Sequence, residues 1–215
     1  MKLGPYDTPG NNIYCGDTQT FDLAQMGRFG VIVADPPWPY QKWSERNHGA
    51  AATHYDTLTI DTLCTLSVAD LAGDNCILLL WGTWPKLPEA VLVMSAWGFE
   101  FVTGFPWIKM NKRDGGIQYG TGFWVRGCSE YVLIGRKGDV SPPSVEGYLG
   151  LMSPNLYHSH KPDSIYEIAE ALPGPYLELF ARRARSGWTS FGNDVASEEV
   201  LPLFIPEPEQ QLQMI

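Results

Sequence analysis

Asp35, Pro36, Pro37 and Trp38 follow directly on the apolar run Phe29–Ala34. A short run rich in Val and Ile predicts a strand buried on both faces, which sets Asp35 at the strand's carboxyl end. In open α/β sheets ligands bind at that end. The two prolines bar both strand and helix from continuing, so the chain leaves in a fixed extended shape that carries an acid and an indole. One chemistry that uses this set is transfer of a methyl group to the exocyclic amine of a base. The lone pair of adenine N6 is delocalised into the ring and attacks poorly. A carboxylate accepting one N6 hydrogen, and a fixed carbonyl accepting the other, help to localise that lone pair. Asp35 supplies the acid, Pro36 the carbonyl and Trp38 a flat face for the base. Such a base must first be unpaired or flipped from its stack. Taken alone, the tetrapeptide also fits a rigid strand-to-loop turn with a packed indole.

Rival chemistries lack their parts. An apolar strand ending in Asp also describes a Walker B element, but the chain has no GxxxxGK[ST] loop and no GxGxxG followed by a helix. Cys15, Cys64, Cys76 and Cys128 form no CxxC pair, and His158 and His160 read as a loop feature, so no metal is expected. With 44% hydrophobic, 13% aromatic and 18% charged residues, the chain is expected to fold around a substantial core. No apolar run approaches the roughly 20 residues of a membrane span, and the reading is of a soluble, cytoplasmic chain. The net charge of -9 argues against loose electrostatic binding of nucleic acid, but four of the acids, Glu198, Glu199, Glu207 and Glu209, lie in a C-terminal segment without Lys or Arg. Basic residues gather instead at Lys109, Lys112 and Arg113, at Arg126, Arg136 and Lys137, and at Arg182, Arg183 and Arg185.

The elements that must position Asp35 can be read from periodicity. Strands are expected at Phe29–Ala34, Cys76–Trp81, Glu130–Gly135 and Tyr176–Phe180, with a weaker one in FEFVTGFPWI. A helix capped by Thr59 is expected over TIDTLCTLSVADL, and a second with Leu87, Val91, Met94 and Ser95 on one face. A third begins near Pro162, turns Ile165, Ile168, Ala169 and Leu172 to one side, and stops at Pro173-Gly174. Strands alternating with helices predict an α/β fold: a mainly parallel sheet with helices on both faces. Three long segments read as functional loops: PWPYQKWSERNHGAAATHY, NKRDGGIQYGTGFW and GDVSPPSVEGYLGLMSPNLYHSHK. Residues 1–195 are expected to form one domain and 196–215 an acidic, Gln-rich tail.

ADPPW resembles the catalytic motif of the DPPW-type adenine-N6 methyltransferases, the family of the catalytic subunit of the eukaryotic mRNA adenine methyltransferase, which also has short bacterial and phage members. The similarity is collinear over about Ile13–Val195: Asp17-Thr18, then TGFWVRGCSEYVLIGRKG, SHKPDSIYEIAEALPG and LELFARRARSGWTSFGNDV. The resemblance implies a permuted Rossmann-like methyltransferase fold that uses S-adenosylmethionine. Carried over by position, it makes Asp35, Pro36, Pro37 and Trp38 the catalytic base pocket. Asp17, Thr18, Asp35, Lys161, Phe180, Arg182, Asn193 and Asp194 would surround S-adenosylmethionine. Tyr55, Trp124 and Glu130, with Trp38, would lie near the acceptor base. The residue types agree: Lys161 and Arg182 suit a carboxylate, and the acids and the Asn193 amide suit ribose hydroxyls and an amino group. Ala184-Arg185 stands where the eukaryotic subunit has a His-Asn pair, and the loop after Trp38 is longer; both features resemble the compact bacterial and phage enzymes.

The resulting expectation is methyl transfer to adenine N6 in DNA by direct displacement, in the cytoplasm of a bacterium or a phage-infected cell. RNA is the alternative acceptor, since the discriminating 2′-OH contact has no motif. A catalytically silent nucleic-acid-binding partner and a plain Rossmann-like binding module are the rivals from other classes. From charge alone, an acidic chain of this kind is expected to bind weakly or to use a homodimer.

Overall fold

The computed structural model describes residues 12–39, 57–120, 124–141, 150–154, 161–193 and 195–201. Tyr55, Asp194, His158 and His160 lie outside the described residues, as does most of the segment after Trp38 and of the one before Lys161.

The chain builds an eight-stranded sheet. In chain order its strands are β1 (Ile13–Cys15), β2 (Phe29–Ala34), β3 (Ala72–Gly82), β4 (Glu100–Met110), β5 (Ser129–Lys137), β6 (Leu151–Pro154), β7 (Tyr176–Leu179) and β9 (Trp188–Gly192). Their spatial order is β1-β9-β7-β2-β3-β5-β4-β6. β8 (Arg183–Arg185) pairs separately with β10 (Ala196–Leu201), so the first residues of the expected tail form a strand. The sheet is mixed. From β1 to β3 every pair is parallel, and so is β4–β6, whereas β5 runs antiparallel to both of its neighbours.

Residue alternation along the central strand divides the core into two layers. Ile32 and Ala34 turn to one face, where α1 (Ile60–Thr65), α2 (Val68–Leu71) and α3 (Leu87–Ala96) bring Leu63, Val68, Leu71, Val93 and Met94. Val31 and Val33 turn to the other, against Ile165, Ile168, Ala169 and Leu172 of α4 (Ser164–Glu170) and the turn after it. Helices on both faces follow from β2 having no polar position, because each side of it needs a cover.

Several expectations are corrected in detail. The TIDTLCTLSVADL helix is two short helices: the Thr59 hydroxyl accepts from the Thr62 amide as expected, but Leu66 already has extended backbone. The buried face of α3 is Ala90, Val93 and Met94 rather than one containing Val91 and Ser95, which are exposed. The expected face is rotated because Trp97 and Phe99, just past the helix, are both buried and fix its C-terminal end against the sheet. The segment GDVSPPSVEGYLGLMSPNLYHSHK, read as a functional loop, contains β6, which is hydrogen-bonded to β4 with Leu151 in the core. The glycine-rich segment after Met110 is partly a folded hairpin: the Asn111 amide donates to the Gly116 carbonyl and the Gly120 amide to the Gly127 carbonyl.

Candidate active site

Strand register assembles the site. Ala34 lies beside Leu80 of β3 and Leu179 of β7, so the residues that follow, Asp35, Trp81 and Phe180, stand abreast at one edge of the sheet. Leu179 is level with Phe191 and Cys15 with Gly192, which continues the row through Asn193 to Asp17. On the other side β5 enters where its neighbours leave. Tyr131 faces Gly82 and Glu130 faces Trp107, so Glu130 and, two residues along β4, Lys109 reach the same edge. This is the carboxyl edge of the parallel strands, where the sequence reading set the chemistry.

Asp35 continues the alternation of Val31 and Val33 and therefore lies on the α4 side. There the Lys161 ammonium, two residues before the first residue of the α4 cap region, donates to Asp35 Oδ2 at 2.9 Å and to Glu130 Oε2 at 3.2 Å. Lys109 Nζ donates to Glu130 Oε1 at 2.5 Å. The four charges alternate in sign along one line: Asp35, Lys161, Glu130, Lys109. Beneath them lie two indoles packed edge to face, with Lys161 Nζ 5.4 Å from the Trp81 ring centre and Lys109 Nζ 4.9 Å from that of Trp107. Such faces attract cations. Burial alone would push the Glu130 carboxyl up, but Lys161 and then Lys109 outweigh it and hold it below the ordinary carboxylate range. Burial alone would likewise lower Lys161, yet Asp35 and Glu130 raise it, so its ammonium stays charged.

Glu178 lies behind this line. It is level with Val33 on the same face, and the Tyr166 hydroxyl donates to its Oε2 at 2.9 Å. Burial is the main reason its pKa is pushed up to about 7; the bond from Tyr166 opposes that rise and the negative charge of Asp35 adds to it. The sequence reading missed Glu178 and Tyr166 as a pair. The alternation Tyr176-Leu177-Glu178-Leu179 was visible, but nothing in one sequence says that Tyr166 of α4 covers that face.

The tetrapeptide itself differs from expectation at Trp38. Its indole is only 3% exposed, packs in the α1–α3 core, and donates from Nε1 to the Trp81 carbonyl at 3.0 Å. In this geometry it offers no open face for a base. The cause is the bend at the prolines: the Trp38 amide donates to the Pro36 carbonyl at 2.8 Å, which turns the chain across the sheet edge to the face opposite Asp35. The Pro37 carbonyl accepts from the Leu58 amide, which ties down the far side of the intervening loop. Pro36 O keeps a second lone pair.

The remaining expected residues are placed as follows. Asp17 is exposed, and its carboxylate accepts from the Gln19 amide; Thr18 is buried. Asn193 is exposed at the end of β9, its carbonyl accepting from Cys15 Sγ. Phe180 has φ +67°, a left-handed backbone rare for an aromatic residue and characteristic of functional turns. Arg182 is exposed just beyond it. Trp124, also at positive φ, is fully exposed on the hairpin that projects beyond Lys109 and Glu130. Asp35, Lys161, Glu130, Phe180, Asn193 and Asp17 thus share one edge, whereas Trp124 is fully exposed to solvent. A cavity of about 400 Å³ lies between Thr18–Ala24 and the helices α1 and α2; Asp35, Lys161 and Glu130 do not line it.

The edge fits S-adenosylmethionine in donor chemistry. Cations suited to a carboxylate, Lys161 and Arg182, flank acids and an amide suited to an amine and hydroxyls, Asp17, Asp35 and Asn193. Gly192 lets the turn after β7 pack tightly on β9, since a Cβ at that position would sit 2.0 Å from the Ala181 carbonyl oxygen. Among the described residues no group of three or more His, Cys, Asp or Glu is placed to hold a metal ion.

The model of the MT-A70 family matches residues 29–194, from the start of β2 to just past β9. The chain belongs to the MT-A70 family. It is 29% identical over 203 residues to the Type II methyltransferase M.MunI of a Mycoplasma species, covering 85% of this chain and 84% of that one. It is 32% identical over 189 residues to the human N(6)-adenosine-methyltransferase catalytic subunit METTL3, covering 84% of this chain and 30% of that one. The similarity to the Arabidopsis thaliana N(6)-adenosine-methyltransferase MT-A70-like is also 32%, with 25% of its length covered. The chain thus spans less than a third of these plant and human relatives and most of the Mycoplasma one. Family membership implies a methyltransferase fold, and the α/β sheet with its mostly parallel strands accords with it.

Proposed function

We propose that this protein is an S-adenosylmethionine-dependent methyltransferase that moves a methyl group to N6 of adenine in DNA by direct displacement. The observation that carries the reading is the position of Asp35. A carboxylate on a rigid turn stands mid-edge, with the Lys161 ammonium on one side and a row suited to S-adenosylmethionine on the other.

S-adenosylmethionine supplies a methyl group activated by its sulfonium. The protein's own residues hold and orient the acceptor. Asp35 Oδ accepts one N6 hydrogen in place of Lys161, and the second lone pair of the Pro36 carbonyl accepts the other. Lys161 keeps Glu130 as its partner while Asp35 turns to the amine. Asp17, Phe180, Arg182 and Asn193 serve the cofactor side and Glu130 the base side, and the family resemblance assigns Asp194 to the first role and Tyr55 to the second. Trp38 serves by clamping the turn from the opposite face. Trp124, exposed and flanked by Arg126, which lies over the Tyr119 ring at 5.4 Å, suits stacking of a base outside the pocket.

The strand order supports a permuted Rossmann-like arrangement, since β2 lies between β3 and the much later β7, and we read residues 1–195 as one domain. DNA is favoured over RNA because the near end-to-end match is to the Mycoplasma type II methyltransferase, which also favours a bacterial or phage setting. The human and plant relatives carry the second reading, an RNA acceptor. A homodimer remains a proposal from charge.

The test is transfer of labelled methyl from S-adenosylmethionine to matched single-stranded DNA, duplex DNA and RNA, with products digested to nucleosides. N6-methyldeoxyadenosine that disappears in D35A is the expected result. Label confined to RNA adenosine replaces the acceptor. No label in any substrate, together with no binding of S-adenosylmethionine, refutes the reading.

A further inference from the structure

Lys109 has no assigned part in the reaction, yet it terminates the line of charges at the site. Its ammonium is held between Glu130 Oε1 at 2.5 Å and the face of Trp107 at 4.9 Å. The Lys109 and Glu130 side chains are only 24% and 15% exposed. Glu130 divides its two oxygens, one for Lys109 and one for Lys161. Lys161 in turn is shared between Glu130 and Asp35. With Lys161 on Oδ2, Asp35 offers an acceptor amine only Oδ1, and the ammonium draws on the negative charge that would attract the amine. The position of Lys161 therefore sets how strongly Asp35 can accept, and Glu130 is the other seat for it.

We propose that Lys109 is a positioning residue: by holding the carboxylate of Glu130 in place against Trp107, it makes Glu130 the seat that draws Lys161 away from Asp35 when the amine binds there. The proposal rests on the methyl-transfer reading. The groups that face Glu130 are Lys109 from β4, Lys161 from the approach to α4 and, through Lys161, Asp35 after β2, with Glu178 of β7 behind Asp35. Without Lys109, a buried Glu130 keeps one cation instead of two and takes up a proton at higher pH. Protonated, it no longer attracts Lys161, which then stays on Asp35. At alkaline pH Glu130 is ionised in any case and the seat is restored.

The experiment compares wild type, K109Q and K109R in steady-state methyl transfer across pH, alongside the carboxyl 13C titration of Glu130 without substrates. For K109Q the acid limb of kcat is expected to move up by about one pH unit, about a tenfold loss at mildly acidic pH and under about twofold at alkaline pH. KM for S-adenosylmethionine stays within about twofold, and K109R recovers most of the rate because a guanidinium still pairs with a carboxylate. The Glu130 titration moves up in K109Q and stays near the wild-type position in K109R. A loss in K109Q that is equal at every pH, or a Glu130 titration unmoved by K109Q, overturns the proposal. If wild type transfers no methyl group at all, the proposed function fails while the Glu130 titration still decides whether Lys109 controls that carboxylate.

Discussion

Glu178 offers the sharpest test of the buried electrostatics. Its carboxyl titrates near the ordinary 4.5 in the unfolded chain and at about 7 in the folded one. Below pH 4.5 both states are protonated and the group contributes nothing. Between 4.5 and about 7 the folded state keeps a proton that the unfolded state has lost, so stability falls as pH rises; above about 7 the full cost is present. At ~1.4 kcal/mol per tenfold, that gap corresponds to about 3 kcal/mol. Glu178→Gln removes the titration but leaves an oxygen to accept from the Tyr166 hydroxyl, now bonded to Glu178 Oε2 at 2.9 Å. The expected outcome is therefore a variant as stable as wild type near pH 4.5 and more stable by about 3 kcal/mol at pH 8. Urea unfolding at a series of pH values, followed by tryptophan fluorescence, reads the difference directly. A stability difference that does not change with pH, or a variant less stable than wild type at pH 8, refutes the reasoning. The second result would mean that Arg183 and Arg185, which oppose the rise, hold Glu178 ionised more strongly than burial disfavours it.

Three further outcomes are expected. Gly192→Ala forces a Cβ to within 2.0 Å of the Ala181 carbonyl oxygen, backbone against backbone, and should lower stability by about 2–3 kcal/mol and weaken S-adenosylmethionine binding, measured by denaturation and calorimetry. Trp124→Ala removes a fully exposed side chain, so stability should stay within about 0.5 kcal/mol while KM for nucleic acid rises about tenfold through lost stacking. Trp38→Phe deletes the bond from Nε1 to the Trp81 carbonyl and should cost about 1 kcal/mol, with kcat falling more than KM changes because the Pro36 carbonyl loses its clamp; an unchanged kcat would remove Trp38 from the site.

What the sequence disclosed follows from how each feature is encoded. β2 was legible because burial on both faces leaves a continuous apolar run, and the face of α4 because Ile165, Ile168, Ala169 and Leu172 recur at helical spacing. β1, β6 and β9 were not read as strands. β1 and β6 have only three and four residues, too short for a period to show. The Trp188–Gly192 run is fully buried yet mixes in Thr189 and Ser190, whose polarity hides the strand. The row Asp35, Phe180, Asn193, Asp17 was reached through resemblance, because parallel register between strands far apart in sequence leaves no local mark. Lys161 was found as a helix-start cation and assigned to a carboxylate of S-adenosylmethionine; that Asp35 and Glu130 are its partners within the protein depends on β5 entering the edge antiparallel, which no pattern in the chain announces. Lys109 was noted only as one member of a basic cluster, since its distinguishing feature is the face of Trp107 beneath it.

The same register explains why an acid and an indole three residues apart do different work. Asp35 keeps the alternation of β2 and turns toward α4, whereas the bend closed between the Trp38 amide and the Pro36 carbonyl carries Trp38 to the α1–α3 side. The tetrapeptide therefore straddles the sheet edge, with charge on one face and an anchor on the other. Trp81 is the hinge of this arrangement: its carbonyl receives the Trp38 indole and its own ring supports Lys161. A displacement of Trp38 would be passed through the Trp81 backbone to the bed under Lys161, and so to the ammonium that pairs with Asp35. The two prolines make that coupling stiff, because neither can relax its φ to absorb the shift. The stiff turn thus fixes where Asp35 stands, and the Trp81 ring fixes where its partner Lys161 stands.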